Sequence, residues 1–296
     1  MPLLIAEAAK LSNDILLTGV MDTVIKESPI LRVLPFTEIV GNGLTYNRVN
    51  AYPTAAFYAV GDDWAEGPPT FTQLTASLAI LGGDADVSNY IKKTRSNIQD
   101  IEAAIIALKA QALATKFEDT FVNGLVSGDA NSFNGIDFLT VSGQTASMGA
   151  DGLMLSLNKI DEMCDLIRPG KPDLLLMSRR SRRRIRILAR AAGTNLTIGQ
   201  GKLGEQVEYW GDIPIYINDW ISDAKTVGTG TTCSTIYAMK LGEGAVCGLS
   251  APGLMEVEKI GTLELKDATR TRIKWYCSLA CFCTLSLAKL SGILDT

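Results

Sequence analysis

Ser96 to Asn123 reads SNIQDIEAAIIALKAQALATKFEDTFVN. At helical spacing Ile98, Ile101, Ile105, Leu108 and Ala112 fall on one face, and Ile106, Leu113, Phe117 and Phe121 on an adjoining one. Two apolar sides predict a helix that is covered twice. Ser96 with Gln99 three residues later forms a capping-box start, Ala is abundant inside, no Pro interrupts, and Asn123-Gly124 supplies a stop. At 1.5 Å per residue such a helix is about 40 Å long. That is longer than one layer of an ordinary domain requires, and it predicts a spine to which the other segments attach.

Upstream, residues 2 to 18 place Leu3, Leu4, Ala8, Leu11, Ile15 and Leu16 at amphipathic spacing, and Gly19 ends the pattern. Ser28-Pro29 and Leu34-Pro35 break the next segment into extended pieces. Residues 1–40 therefore read as an arm whose apolar face needs a surface elsewhere in the fold or on another chain. Between residues 41 and 89 the pattern turns strand-like, with runs Leu44 to Val49 and Phe71 to Leu81 around a Gly-, Pro- and Asp-rich middle. This predicts a long two-stranded hairpin. Such ribbons are marginal in water alone, so it lies either on a partner or on its own domain.

Downstream, Gly128-Asp129, Asn134-Gly135 and Gly143 mark loops. Leu153 to Ile167 reads as a helix closed by Pro169-Gly170, Asp173 to Met177 as a short buried strand, and Ser178 as the start of a helix reaching about Ala192. Ile213 to Ile217 and Thr235 to Met239 read as strands, so residues 150–252 form a compact lobe of mixed elements. Leu254 to Leu290 alternates in strand fashion, Thr269 to Trp275 most clearly, and predicts long antiparallel sheet. With residues 90–149 it makes a second lobe from both ends of the chain, into which 150–252 is inserted. The fold class is α+β.

The 296 residues carry a net charge of −4 and no histidine. The overall field therefore favours neither nucleic acid nor an anionic membrane as main partner. Lack of imidazole removes the usual general base, the usual zinc ligand and every Ser-His or Cys-His pair. The start lacks a secretory signal pattern, and the apolar run Trp275 to Ala288 is too short to span a bilayer. Six irregularly spaced Cys fit reduced thiols. Gly199-Gln200-Gly201-Lys202-Leu203-Gly204 spells a dinucleotide fingerprint, but Gly211 and Pro214 leave no room for the helix that must come after it, so a nucleotide-dependent enzyme is a minor alternative. Cys277, Cys281 and Cys283 share a strand face with Trp275, Leu279 and Leu285 and read as buried hydrophobes, with no fourth metal ligand in sight. Asp62, Asp63 and Glu66 read as solvated loop carboxylates. No catalytic, cofactor-binding or metal residues are assigned.

One charge cluster stands out. On the helix opened by Ser178, Arg179, Arg182, Arg183, Arg186 and Arg190 share a face, with Ile185, Leu188 and Ala189 opposite. The face is solvated and ion-paired, or it meets an acidic neighbouring subunit or nucleic-acid phosphate.

The order of arm, hairpin, spine, inserted lobe and returning strands resembles the major capsid protein of tailed bacteriophages, the Hong Kong phage fold that encapsulin shells share. Local stretches are similar too. They are Leu17-Thr18-Gly19-Val20, Ser28-Pro29-Ile30-Leu31, Val33-Leu34-Pro35-Phe36, Phe117-Glu118-Asp119-Thr120-Phe121-Val122-Asn123-Gly124, Phe133-Asn134-Gly135-Ile136, Trp210-Gly211-Asp212-Ile213-Pro214-Ile215 and Ala288-Lys289-Leu290. The resemblance implies an N-terminal arm (1–40), an E-loop hairpin (41–89), a peripheral domain (90–149 and 253–296) and an axial domain (150–252). It implies a structural protein with no cofactor and no membrane, self-assembling through hexamers and pentamers into an icosahedral virion shell around double-stranded DNA. Non-specific DNA contacts, portal, scaffolding or cement proteins and assembly in the host cytoplasm come with it. An encapsulin-like compartment is the alternative. On this reading Leu3, Leu11, Ile15, Phe57, Tyr58 and Trp64 lie at subunit interfaces. Residues 41 to 91 contain no Lys, so the Lys–Asn crosslink that welds some relatives' shells cannot start from this hairpin.

Overall fold

A computed structural model describes residues 29–95, 101–193, 196–201 and 204–294. A short helix, α1 (Ile30–Val33), leads into strand β1 (Phe36–Glu38). The hairpin comes next as β2 (Gly43–Ala51) and β3 (Thr70–Ser77), then β4 (Ala79–Ser88), α2 (Asn89–Arg95) and the spine α3 (Ile101–Asn123). After the spine come α4 (Ile136–Leu139), β5 (Thr145–Ser147), β6 (Leu153–Met154), α5 (Leu157–Asp165), β7 (Leu174–Met177) and α6 (Arg179–Ala191). Strands β8 (Thr197–Gln200), β9 (Gln206–Trp210), β10 (Ile213–Ile217), β11 (Lys225–Val227), β12 (Gly230–Met239), β13 (Val246–Thr262), β14 (Ala268–Cys281) and β15 (Leu287–Leu294) complete the chain.

Among the described residues these strands form three sheets. A four-stranded sheet runs β1-β13-β14-β4, a nine-stranded one runs β5-β15-β12-β7-β10-β9-β8 with β11 and β6 attached, and β2-β3 stands by itself. In β14 the alternation matches the sequence: Thr271, Ile273 and Trp275 are buried while Arg272 is exposed and Arg270 and Lys274 are half-buried. On the charged face Arg272 holds Asp84 at 2.7 and 2.9 Å, and Arg270 holds Asp86 at 2.6 and 2.7 Å. These are register partners on β4, and the bidentate hydrogen bonds from the guanidiniums hold both carboxyls below the usual range. Glu256 and Glu258 of β13 flank Lys274 from the other side, at 3.5 and 3.0 Å. The three strands are thus locked in register by an acid–base–acid row.

The spine is 23 residues long over Ile101–Asn123, about 34 Å at helical rise. The expected capping box at Ser96–Gln99 lies outside the described residues. Double coverage holds only in the last turns: Leu113, Phe117, Phe121 and Val122 are buried, whereas Leu108 and Ala112, on the other expected face, open to solvent. Phe117 lies 4.7 Å from Trp275, 5.5 Å from Phe133 and 5.8 Å from Phe36, centroid to centroid. The same core takes Leu174, Leu176, Tyr237 and Met239 from the nine-stranded sheet. Strand β7 (Leu-Leu-Leu-Met) alternates between two cores, because Leu175 and Met177 pack on the far side with Ile160, Met163 and Ile185 from α5 and α6. Both faces of that strand are dry, which is why its sequence shows no polar alternation.

The spine's end is set by close backbone packing. Gly135 N–H donates to the Gly124 carbonyl at 2.9 Å, and a Cβ on Gly124 would stand 2.3 Å from the Phe133 carbonyl oxygen and 2.4 Å from that of Thr120. Only Gly permits that approach.

Several expectations are corrected. The expected strand Phe71 to Leu81 divides at Leu78, β3 staying in the hairpin and β4 joining the four-stranded sheet. The helix expected over Leu153–Ile167 is Leu157–Asp165, because Leu153 and Met154 pair with β15. The returning strands do not all serve one lobe. β13 starts at Val246, ahead of the expected border, while β15 crosses to the nine-stranded sheet between β12 and β5. β5, from the 90–149 stretch, joins it there. For residues 29–40 the surface that the arm needs is in the fold itself, since Ile30, Val33 and Leu34 are buried against the spine's core.

Phe117→Ala removes the ring that packs with Phe36, Phe133 and Trp275, and it should cost about 3–5 kcal/mol. Leu108→Ala should cost less than about 1 kcal/mol in the isolated subunit, since its side chain is already partly in water. Denaturant midpoints of the two variants check the contrast.

Candidate assembly interface

The hairpin is anchored at its base and open at its end. Residues Tyr46 and Arg48, two apart on β2, point to one side. The Tyr46 ring meets Phe282 edge-on at 4.8 Å and its hydroxyl donates to the Cys281 carbonyl at 3.2 Å. Arg48 Nε donates to the Phe282 carbonyl at 2.9 Å, and its guanidinium also reaches the Cys281 carbonyl. Beyond Ala51 and Thr70 the ladder stops, and residues 52–69 form a tip shaped by its own contacts. Tyr58 stacks on Trp64 at 4.7 Å, Ala59 N–H donates to Asp62 Oδ2 at 2.7 Å, and Ala65 N–H donates to the Tyr58 hydroxyl at 3.2 Å.

Among the described residues no core lies beneath the tip, which is shaped by these contacts. Phe57 and Val60 are fully exposed and Trp64 is 81% exposed, whereas Tyr58 is half-covered by its stack. Such a set of apolar side chains held out in water marks an interaction surface. Of the residues expected at interfaces, the structure places Phe57, Tyr58 and Trp64 together at this tip. Leu3, Leu11 and Ile15 lie outside the described residues.

Two concavities face other directions. A groove of about 960 Å³ runs under the hairpin base, walled by Tyr46, Arg48, Ile80, Val126, Phe138 and Val141 among others. A second, of about 690 Å³, lies between the spine, α6 and β9–β10, and carries Arg32, Glu118, Arg182, Arg186, Glu205 and Glu208.

The arginine helix is less of an outward patch than its sequence spacing indicates. Ser178 caps it, its hydroxyl accepting from the Ser181 N–H. Arg179 grips Asp219 at 2.8 and 2.9 Å, Arg186 pairs with Glu208, and Arg190 Nε donates to the Arg186 carbonyl at 3.3 Å. Arg182 and Arg186 line the second cavity, and Arg183 and Arg190 are exposed. The remaining motifs stay structural. Gly199 and Gln200 end β8, which pairs antiparallel with β9, so among the described residues the glycines lead into a strand and not into the helix N-terminus a pyrophosphate needs. Cys277 and Cys281 are buried free thiols, and burial pushes Cys277 up to about 12. Among the described residues no group of His, Cys, Asp and Glu is placed to hold a metal.

Two polar sites escape the sequence reading. Asp137 on α4 accepts from Lys225 at 2.9 Å, Lys289 at 3.1 Å and the Tyr237 hydroxyl at 2.9 Å, tying β11, β12 and β15 together. Burial alone would raise its pKa, but the two ammoniums outweigh burial and hold it below the usual range. Nothing in the spacing of these residues signals the contact. The other site is Glu118, whose only clue is a carboxylate set between Phe117 and Phe121 on the helix side that is buried.

Comparison with known proteins agrees with this geometry. The sequence matches the phage capsid family over residues 11–259. The fold matches a chain of the holo-SrpI encapsulin complex from Synechococcus elongatus at TM-score 0.72 and 17% identity, covering 100% of this chain and 98% of that one. The capsid of a native GTA particle matches at TM-score 0.65 and 11% identity, with 98% and 100% covered. A Mycobacterium phage Ogopogo chain matches at TM-score 0.64 and 15% identity, with 92% and 94% covered. Comparison with curated proteins gives no match.

Glu118 is nine-tenths buried where the spine faces the nine-stranded lobe. Burial pushes its pKa from 4.5 up to about 7, against the opposing pull of the Trp220 indole and the Arg32 charge. Its unfolded form loses the proton first, so this group's contribution is most favourable below pH 4.5, declines as pH rises, and levels off above pH 7. The full penalty is on the order of 3 kcal/mol. Glu118→Gln should therefore stabilise the subunit at pH 8 and change it little near pH 4.5, as read from denaturant midpoints across that range.

Proposed function

The chain belongs to the phage capsid family and is a structural shell protein of the capsid; from that premise we propose that its shell is icosahedral and encloses double-stranded DNA. The family match over residues 11–259 carries this reading. The hairpin supports it, because an exposed apolar tip on a ribbon that the described residues anchor at its base suits burial on a neighbouring subunit. Interface burial at Phe57, Tyr58 and Trp64 contributes at about 25 cal/mol per Å² before association costs, and Leu3, Leu11 and Ile15 add to it in the same reading. Subunits group as pentamers and hexamers. Portal, scaffolding or cement proteins assist, and assembly occurs in the host cytoplasm. The exposed arginines of α6, Arg183 and Arg190, meet a neighbouring subunit or DNA phosphate without sequence preference.

An encapsulin-like compartment is the second reading, favoured by the full-length overlay on the encapsulin chain. Particle contents separate the two. Purified particles from the native source should protect double-stranded DNA from nuclease; particles holding a protein cargo and no nucleic acid would establish the compartment instead. Arg183→Glu should lower particle yield or DNA content more than it lowers the subunit's thermal melt. Normal particles with normal DNA would remove Arg183 from both roles.

A further inference from the structure

We propose that Asn42 is a site of spontaneous deamidation, and that its isoaspartyl product loosens the hairpin where it leaves the body of the subunit. The reaction belongs to the single chain and does not depend on its assembly. An asparagine followed by glycine is the pair most open to this chemistry, because no side chain on the second residue hinders its backbone nitrogen. The sequence has three such pairs, Asn42-Gly43, Asn123-Gly124 and Asn134-Gly135. Their surroundings separate them.

The later two pairs are held. Gly124 N–H donates to the Thr120 carbonyl at 2.8 Å, and the Asn123 side-chain amide donates to Asp119 Oδ1 and to the Trp220 carbonyl, both at 3.1 Å. Gly135 N–H donates to the Gly124 carbonyl at 2.9 Å, while Asn134 Oδ1 accepts from the Val126 N–H at 3.0 Å. In each, the attacking nitrogen and the amide it must reach are both tied elsewhere. Asn42 is exposed, and among the described residues its side chain has no partner. The backbone nitrogen of Gly43 is open as well. Leu78 N–H donates to the Asn42 carbonyl at 3.0 Å, which makes 42 and 78 a hydrogen-bonded pair, and bonded and non-bonded pairs alternate along an antiparallel ladder. Gly43, opposite Ser77, therefore turns its N–H away from β3, to the side where the two-stranded sheet has no further strand.

The Gly43 nitrogen gives its proton to solvent base and attacks Asn42 Cγ. A Cγ–N bond closes a cyclic imide, the Cγ–Nδ2 bond breaks, and ammonia leaves. Water then opens the imide at either carbonyl, giving aspartate or isoaspartate, and nothing is oxidised or reduced. In isoaspartate the main chain runs through Cβ and Cγ, and the former Asn42 carbonyl becomes a carboxylate that branches off it. That carbonyl is the acceptor for Leu78 N–H, at the point where β3 hands over to β4 and the hairpin meets the four-stranded sheet. Rerouting the chain there takes the acceptor out of the ladder and leaves the hairpin base to the ties of Tyr46 and Arg48.

The test holds the full chain in mildly alkaline buffer, digests it under acidic conditions that do not themselves deamidate, and reads the peptides by electron-transfer mass spectrometry, which separates isoaspartate from aspartate. Conversion at Asn42 should outpace that at Asn123 and Asn134 by about tenfold or more, because those two must first break their hydrogen bonds. In the converted chain the Leu78 amide should lose its protection from hydrogen exchange. Asn42→Gln, whose longer side chain closes a ring far more slowly, should keep that protection with age. Equal rates at the three asparagines, or an unconverted Asn42 under conditions that convert the denatured chain, would overturn the site. Undiminished Leu78 protection in the isoaspartyl chain would overturn the loosening, as would an equal loss in aged Asn42→Gln.

Discussion

Phe117 is the contact on which the rest of the structure depends. Its ring lies within 6 Å of Phe36, Phe133 and Trp275, so one side chain of the spine joins the first strand, the post-spine loop and the long sheet. Leu174, Leu176 and Tyr237 bring the nine-stranded lobe into the same core. The two lobes therefore share a core at the spine's C-terminal turns. Farther toward its N-terminal end the spine is only partly covered, and Leu108 is open. The subunit is tightly specified at one end of the spine and leaves surface uncovered at the other.

Charge is used differently in the two places where it is dense. On the long sheet, Arg270, Arg272 and Lys274 are matched strand by strand with Asp84, Asp86, Glu256 and Glu258. Exposed pairs of this kind contribute little each, but a row of them fixes register along strands whose β13 side chains Val257 and Ile260 are exposed. On α6 the arginines are partly engaged by Asp219, Asp223 and Glu208 of the same lobe. The hairpin tip is the opposite case, acidic and apolar with no internal counter-charge.

The spine, the hairpin, the buried strand at Leu174, the Ser178-capped helix and the alternating strand at Thr269 to Trp275 were legible because each carries a periodic signal or a turn residue with a local cause. The crossing of β15 into the second sheet was not, since Leu287 to Leu294 looks like any buried strand and its neighbours are chosen by tertiary packing. The splitting of the hairpin's second strand at Leu78 is equally silent in the sequence. For the site, exposed Phe57 and Trp64 were legible from a Gly- and Pro-rich tip with aromatic residues. The ties of Tyr46 and Arg48 to Cys281 and Phe282 span more than 230 positions, and no spacing rule reaches that far. The arginine face was legible as a helix face, but its internal partners on β9 and the 218–223 loop were not, so it looked more outward than it is.

This subunit is built around Phe117, and in the proposed shell its hairpin is covered by another copy. Electron microscopy of the expressed chain with three-dimensional reconstruction tests this most directly. The result predicted is a closed shell in which the helix over Ile101–Asn123 is unbroken and every hairpin tip crosses onto an adjacent subunit. Monomers that persist at high concentration, or shells whose hairpins fold back on their own subunits, would contradict it.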